Sequence, residues 1–410
     1  MRGSIRFLLE NSLFMILGAV AALIWANIDN QGYQHFVHLE LFHTSWIGHP
    51  HGADRLVTLG FVVNEVLMAL FFAIAGKEVW EATLPGGPLN NPRQAASPLI
   101  ATLGGMTGPA LVYLGGIALF GQFGELSNGW AVPTATDIAF SYMVARVVFG
   151  PAHPAIPFLL LLAIADDALG LVIIAVFYPQ GPVEPVWMLL PVAAIVVGLV
   201  FRRLRVISFW PYLLIAGALS WYGFHRANLH PALGLLPIIP VMPHGHLDRG
   251  LFHWEALKRD DTLSAFEHWW KNPVEVILGL FGLLNAGVAL TALGPVTGVV
   301  AAALIVGKPL GIWVFAYLGT KIGFPLPPGM RRRELLVVGC TAGIGFTVAI
   351  FVAGVAFPRG EIQDAAKIGA LASFGAAVVA LVIGRLLKLE RMRTPTMPPG
   401  PMTPPPFGEH

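Results

Sequence analysis

Four ionisable side chains stand inside otherwise aliphatic stretches: Asp137, the adjacent pair Asp166–Asp167, and Lys308. The pair lies in LLLLAIADDALGLVIIA, where neighbouring carboxylates repel unless a cation, a proton or a lysine sits beside them. Three acids against one base leave an acidic excess, which suits a cation. It suits protons equally, because burial disfavours an isolated charge. Carboxylates that hold either ligand can exchange one for the other. Hard oxygen donors fit an alkali or alkaline-earth ion. The single cysteine, Cys340, and the lack of histidine pairs at ligand spacing argue against zinc or copper. Glu65, Glu78 and Glu275 lie nearer helix ends, where an interfacial carboxylate and a functional one are both open readings.

These charges belong to an unusual chain. Of 410 residues, 56% are apolar and 12% charged, with mean hydropathy +0.70, whereas soluble domains carry about 25% charged residues. The 25 basic and 23 acidic side chains cannot cover a soluble surface of this mass, so lipid is the solvent. A disulfide scaffold and nucleic-acid binding are disfavoured by one cysteine and a net charge of +2. The apolar runs are too long for barrel strands of about ten residues. An all-α polytopic protein is expected, with about twelve spans near 12–28, 57–76, 96–120, 129–148, 155–178, 185–201, 207–224, 229–243, 272–290, 294–319, 335–357 and 368–387. The eighth is short and holds Pro231, Pro237 and Pro240. The first is expected to be retained rather than cleaved as a signal peptide, since Glu10 precedes it and no small-x-small site follows.

Lys and Arg cluster in alternate loops, at Lys77 and Arg93, Arg146, Arg202 to Arg205, Lys258 and Arg259, Arg331 to Arg333, and Lys388 to Arg393. With both termini cytoplasmic, these fall inside and few basic residues fall outside. Residues 1–390 form one transmembrane unit without a soluble domain or nucleotide-binding loop. The tail 391–410, with seven prolines, is expected to be disordered.

Two spans look interrupted. Gly129-Trp-Ala-Val-Pro-Thr-Ala-Thr-Asp137 places Pro133 and two threonines just before the acid, and Gly339-Cys-Thr-Ala-Gly-Ile-Gly345 packs three glycines into seven residues. Each is the middle member of a three-span group, 96–178 and 294–387. Corresponding interrupted helices in two halves point to inverted-topology repeats. Helix-end dipoles would then face one another at mid-membrane, where Asp137 or Lys308 could offset them.

On these residues the chain resembles the NhaA-type bacterial Na+/H+ antiporters, a family whose inverted repeats are an established example. The matching stretches are GWAVPTATDIAF, LAIADDALGLVIIAVFYP, LIVGKPLGI, GCTAGIGFTVAIF, LNAGV, RQAASPLIATLGGMTGPALVYL and NEVLMALFFAIAGKEV, within roughly 57–390. The resemblance implies a twelve-helix fold whose fourth and eleventh helices unwind and cross. It implies that Asp167 is the principal Na+ ligand, that Asp166 pairs with Lys308, and that Asp137 and Thr136 complete the ion site. Glu78 matches a glutamate of a cytoplasmic funnel linked to pH activation, and His230 a histidine linked to pH dependence. An electrogenic exchange of Na+ or Li+ for protons, a bacterial inner-membrane location and a homodimer are further implications. No cofactor is expected.

The chain departs from the pattern in places. Val79, Trp80 and Glu81 follow Glu78 where better-known members carry Lys-Arg-Glu, so the basic member is missing or moved to Lys77. Glu65 replaces a usual aspartate, and Glu275 is an added carboxylate. The loop Asn30–Arg55, with His35, His38, His43, His49 and His51, is longer than expected, and its histidines are read as solvated.

Other functions fit less well. An intramembrane aspartyl protease needs carboxyls facing one another from separate segments, whereas Asp166 and Asp167 project about 100° apart on one helix, and no GxGD stretch occurs. A sodium-coupled organic-anion transporter of related fold is disfavoured by the acidic excess, and a passive channel by the titrating site with its lysine. A transporter of sodium or lithium ions and protons, not an enzyme, is the expectation.

Overall fold

The computed structural model describes residues 13–52, 54–244, 261–389 and 391–392. The start of the first span, the loop with Lys258 and Arg259, and nearly all of the proline-rich tail lie outside the described residues.

The architecture is a bundle of helices, as lipid demands of a chain whose backbone groups must be satisfied internally. Among the described residues, six helices are long and apolar enough to cross a membrane: Leu59–Thr83, Ala95–Leu119, Ala155–Phe177, Pro185–Arg203, Pro295–Lys321 and Glu361–Leu386. Shorter apolar helices cover Leu13–Ile28 and Ile138–Phe149. Large exposed side chains recur at helical spacing, as in Val192, Val196 and Leu199, or Leu310, Val314 and Leu318. In lipid these are outward faces rather than liabilities.

Two expected boundaries shift. The ninth span is the helix Thr262–Asn285, which begins ten residues earlier than the uncharged run and is capped by Asp261, whose carboxylate accepts from Ser264 N at 2.7 Å. The twelfth begins at Glu361. In both, charged residues extend the helix beyond its apolar middle: Glu267 and Lys271 in the ninth, Glu361 and Asp364 in the twelfth. The eighth stretch is corrected more substantially. It forms two 3₁₀ turns, Pro231–Leu233 and Leu236–Val241, because its prolines lack the N–H groups a regular helix needs.

The histidine-rich segment is not a bare loop. Asn30–Val37 is a helix capped by Asp29, and three antiparallel strands follow: β1 (Glu40–Thr44), β2 (His49–His51) and β3 (Asp54–Thr58), in the order β1-β3-β2. Thr44 lies opposite Arg55 and His49 opposite Leu56. Leu56 and Val57 are the sheet's buried residues, so it stands as a small cap on one end of the bundle.

The helices Pro92–Leu119 and Pro295–Lys321 touch backbone to backbone. A Cβ added at Gly104 or Gly108 would strike the carbonyl oxygen of Gly311 or Gly307 respectively. Paired glycines four apart permit this close approach. Gly105 leaves space in which the Lys308 stem runs, with its added Cβ 3.8 Å from Lys308 Cε. The glycine seam thus plants a lysine in the interior, immediately after a π turn at Ala303–Gly307.

Candidate ion site at the crossing of two broken helices

Both interrupted spans are broken. The first runs as a 3₁₀ stretch, Ser127–Thr134, then extended backbone, then the helix Ile138–Phe149. The second consists of Arg332–Ala342 and Phe346–Ala356, bent by 55° at the glycines. Pro133 stops the first from continuing as a regular helix. Gly345 allows the second to pass close by, its added Cβ falling 2.8 Å from the Ala135 carbonyl oxygen.

The unwound segments satisfy each other's backbone. Asp137 N donates to Ile344 O at 2.7 Å, Thr136 Oγ1 to Ala342 O at 3.0 Å, and Ser141 Oγ to Thr341 O at 2.7 Å. Carbonyls freed at one helix end are therefore taken by donors from the other chain segment. Asp137 caps two helices at once. Its Oδ1 accepts from Phe140 N at 3.3 Å, while Oδ2 accepts from Thr347 N at 3.4 Å and from the Thr347 hydroxyl. One carboxylate thus faces two positive helix ends.

Lys308 supplies the opposite charge at the opposite kind of end. Its ammonium is fully buried and donates to the carbonyl of Thr134, where the 3₁₀ stretch terminates, and to Asp166 Oδ2 at 2.7 Å. Asp166 Oδ1 accepts no hydrogen bond among the described residues, although Thr136 is a near neighbour. Thr136 has turned its hydroxyl to Ala342 instead. One turn earlier, Thr102 Oγ1 donates to Leu162 O at 3.2 Å and holds the helix Ala155–Phe177 in place.

Asp167 points to other company. It lines a small pocket of about 20 Å³ with Asp166 and Thr134, and a cavity of about 230 Å³ with Thr136, Asp137 and Thr347. Its electrostatic surroundings are Asp166, Glu78 and Asp137 against Lys308. The sequence-identified Asp137, Asp166, Asp167, Thr136 and Lys308 therefore do share one region. Among the described residues no three acidic, histidine or cysteine side chains converge closely enough to form a metal cage. A hard cation here would take Asp167 as its carboxylate, with hydroxyl and carbonyl oxygens beside it.

The 230 Å³ cavity leads from Asp137 and Asp167 to Glu78, Glu267, Lys271 and Glu275. Lys77, beside Glu78, is buried and ion-pairs with Glu81 at 2.6 Å and with Glu267, joining this helix to Thr262–Asn285. The basic member absent after Glu78 is thus supplied from one residue before it. On the other side of the site lies a cavity of about 790 Å³ under the sheet, lined by His49, Glu65, Gln180, His230, Phe351 and Lys367 among others. Phe351 separates the two regions, packing on Phe72 at 4.9 Å and on His230 at 4.8 Å. The acids therefore open towards Glu78 and are closed towards the sheet. His230 and Glu65 are not part of the acid cluster. The His230 ring accepts from Ala232 N at 3.3 Å and ends at the base of the larger cavity.

Sequence reading missed Thr347, Ser141, Glu267 and Lys271. Thr347 and Ser141 are uncharged and sit in apolar runs; only the general rule that a broken helix needs caps points to them. Glu267 and Lys271 precede the uncharged run and so escaped a search for charges inside one.

Comparison with known proteins agrees with this geometry. The pattern of the family described as Na+/H+ antiporter 1 matches residues 6–386. The protein named Na(+)/H(+) antiporter NhaA of Jannaschia sp. (strain CCS1) is 51% identical, covering 94% of this chain and 98% of its own length. Its namesake in Geobacter sulfurreducens is 49% identical over 96% of this chain and 100% of its own. That of Desulfitobacterium hafniense (strain DSM 10664 / DCB-2) is 48% identical over 95% and 97%. With broken helices crossing around Asp137 and a match across nearly the whole length, the chain belongs to the Na+/H+ antiporter 1 family.

Proposed function

We propose that this protein is a secondary antiporter that moves Na+ (or Li+) out of a bacterial cell in exchange for protons. The observation that carries the reading is the Lys308–Asp166 ion pair standing beside Asp167, which lines the 230 Å³ cavity together with Asp137. Na+ binds Asp167, with Thr136 and Asp137 contributing oxygens, and draws Asp166 away from Lys308. Protons return to the carboxylates and to Lys308 when the ion leaves. Because the same groups carry both ligands, neither crosses without the other. A proton released by Lys308 adds to those released by the aspartates, so the exchange is electrogenic.

The glutamate end of the 230 Å³ cavity is the cytoplasmic entrance. Basic residues support this orientation: Arg146, Arg331 to Arg333 and Lys388 cluster at one end, where Met392 N donates to Phe149 O at 2.9 Å and Arg333 Nη1 to Leu387 O at 3.3 Å. Both termini are cytoplasmic on this reading, and the sheet is outside, in the periplasm. The two groups of spans, each with its broken member in the middle, are inverted repeats around the site. Glu78, at the entrance, and His230, at the base of the outer cavity, are the groups assigned to the pH response. A homodimer in the inner membrane is the working assembly.

The test is recovery of a pH-gradient dye signal in everted membrane vesicles on adding NaCl, LiCl or KCl across a pH series. Na+ and Li+ restore fluorescence in the wild type and fail to do so with Asp167→Asn, inserted at equal level. Wild-type exchange rates in the Asp167→Asn protein would place the ion site elsewhere.

A further inference from the structure

The outer cavity contains a carboxylate that the exchange mechanism does not use. Glu65 lies in a π turn, Val62–Leu67, and is 5% exposed. Its main-chain carbonyl is held by Trp221 Nε1 at 2.8 Å, and its Oε1 accepts from Gln180 Nε2 at 3.2 Å. Oε2 is buried and accepts no hydrogen bond among the described residues. A buried carboxylate oxygen left without a donor is costly, and a cation is one way to satisfy it.

The charges around the cavity leave Glu65 without a permanent cationic partner. Arg359 is engaged by His38, and Lys367 has Asp364 one turn away on its own helix as its electrostatic partner. His49 Nε2, on β2, approaches Glu65 Oε1 at 3.9 Å. Burial, then the nearby guanidinium groups of Arg359 and Arg55, lower the His49 pKa below the ordinary histidine value and so favour its uncharged form. The same wall carries Asn64 and Asn285, paired amide to amide at 2.7 and 3.2 Å, whose oxygens are hard and neutral. These are the donors an alkali cation accepts while keeping part of its water shell.

We infer that Glu65 forms a second cation site, in the outer cavity, which holds Na+ (or Li+) after it leaves the central acids and before it enters bulk water. The inference rests on the antiport reading. The aromatic partition of Phe72, Phe351 and His230 separates the two sites, so ions pass between them only when that partition moves. A carboxylate beyond the partition stabilises the released ion and, in reverse exchange, gathers Na+ from outside.

The test compares both faces of the full-length protein. Apparent KM for Na+ is measured in right-side-out vesicles, where Na+ loads from outside, and in everted vesicles, where it loads from the cytoplasmic face. Glu65→Gln is expected to raise the outer KM by roughly fivefold or more without a comparable rise in the inner KM, and Glu65→Asp to recover most of the outer affinity. Should Glu65→Gln not assemble, Gln180→Lys, which sets a tethered ammonium beside the carboxylate, is expected to raise the outer KM in the same selective way. An unchanged outer KM, or equal rises on both faces, overturns the inference. If the wild type moves no Na+ from either face, it is the antiport reading that fails.

Discussion

Thr347 and Asp137 lie 210 positions apart in sequence, yet both the backbone N–H and the hydroxyl of Thr347 donate to one oxygen of the Asp137 carboxylate. Because Asp137 also caps its own helix through Phe140, the two broken spans share a single cap. The geometry of the crossing therefore depends on a hydroxyl that carries no charge. Thr347→Val keeps the shape and removes that donor. It should lower stability by about 1–2 kcal/mol, seen as a fall in the melting temperature of the detergent-solubilised protein, and slow exchange several-fold. A variant with wild-type melting and wild-type exchange would show that the hydroxyl is dispensable.

Lys308 is assigned a coupling role, in which it gives up its proton as Na+ takes the aspartates. Arginine cannot release a proton at ordinary pH and presents a planar fork in place of a point charge. Lys308→Arg should therefore lose or severely slow exchange while the fold stays intact. Lys308→Gln should instead destabilise, by roughly 3 kcal/mol, because it leaves Asp166 as an unpaired buried charge. Electrogenic exchange at normal rate in the arginine variant would reduce Lys308 to a structural counter-ion.

The charged members of the central site were legible because each is an anomaly in lipid: Asp166–Asp167, Asp137 and Lys308 interrupt apolar runs, and Pro133 and Gly339 to Gly345 mark the breaks. What stayed hidden has physical reasons. Thr347 and Ser141 act through hydrogen bonds that only the crossing creates, so neither stands out on its own helix. Glu267 and Lys271 sit in a helix that starts at Thr262, in charged sequence that an apolar window excludes. The cap sheet has mostly exposed strands, and only Leu56 and Val57 show buried character, too little for a pattern of alternation. The eighth span was the reverse case, an apolar stretch whose prolines prevent regular helix.

His153 provides a pH-dependent contribution to stability away from the ion site. It lies between the helices Ile138–Phe149 and Ala155–Phe177, is buried, packs against Phe149 with ring centroids 5.0 Å apart and accepts from Ala155 N at 3.1 Å through Nδ1. Burial holds its pKa below the ordinary value, and Glu334, 3.9 Å from Nε2, only partly opposes this. The folded protein thus binds this proton less readily than the unfolded chain. Its contribution is present above the unfolded pKa of about 6.5 and is lost as pH falls below it. Melting temperature should decline between pH 7 and 5. His153→Asn, which keeps an acceptor for Ala155 N–H without titrating, should flatten part of that decline. An identical decline in both proteins would assign the acid sensitivity to other groups.

The central claim is that Na+ and protons occupy the same carboxylates in turn. The direct measurement is the apparent Na+ affinity of the purified protein in proteoliposomes from about pH 6 to 8.5, the range in which buried carboxylates titrate. A shared site predicts that affinity weakens as pH falls, approaching about tenfold per unit for each competing proton well below the relevant pKa. An apparent Na+ affinity that stays flat across that range contradicts the shared site, and with it the exchange mechanism built on Asp166 and Asp167.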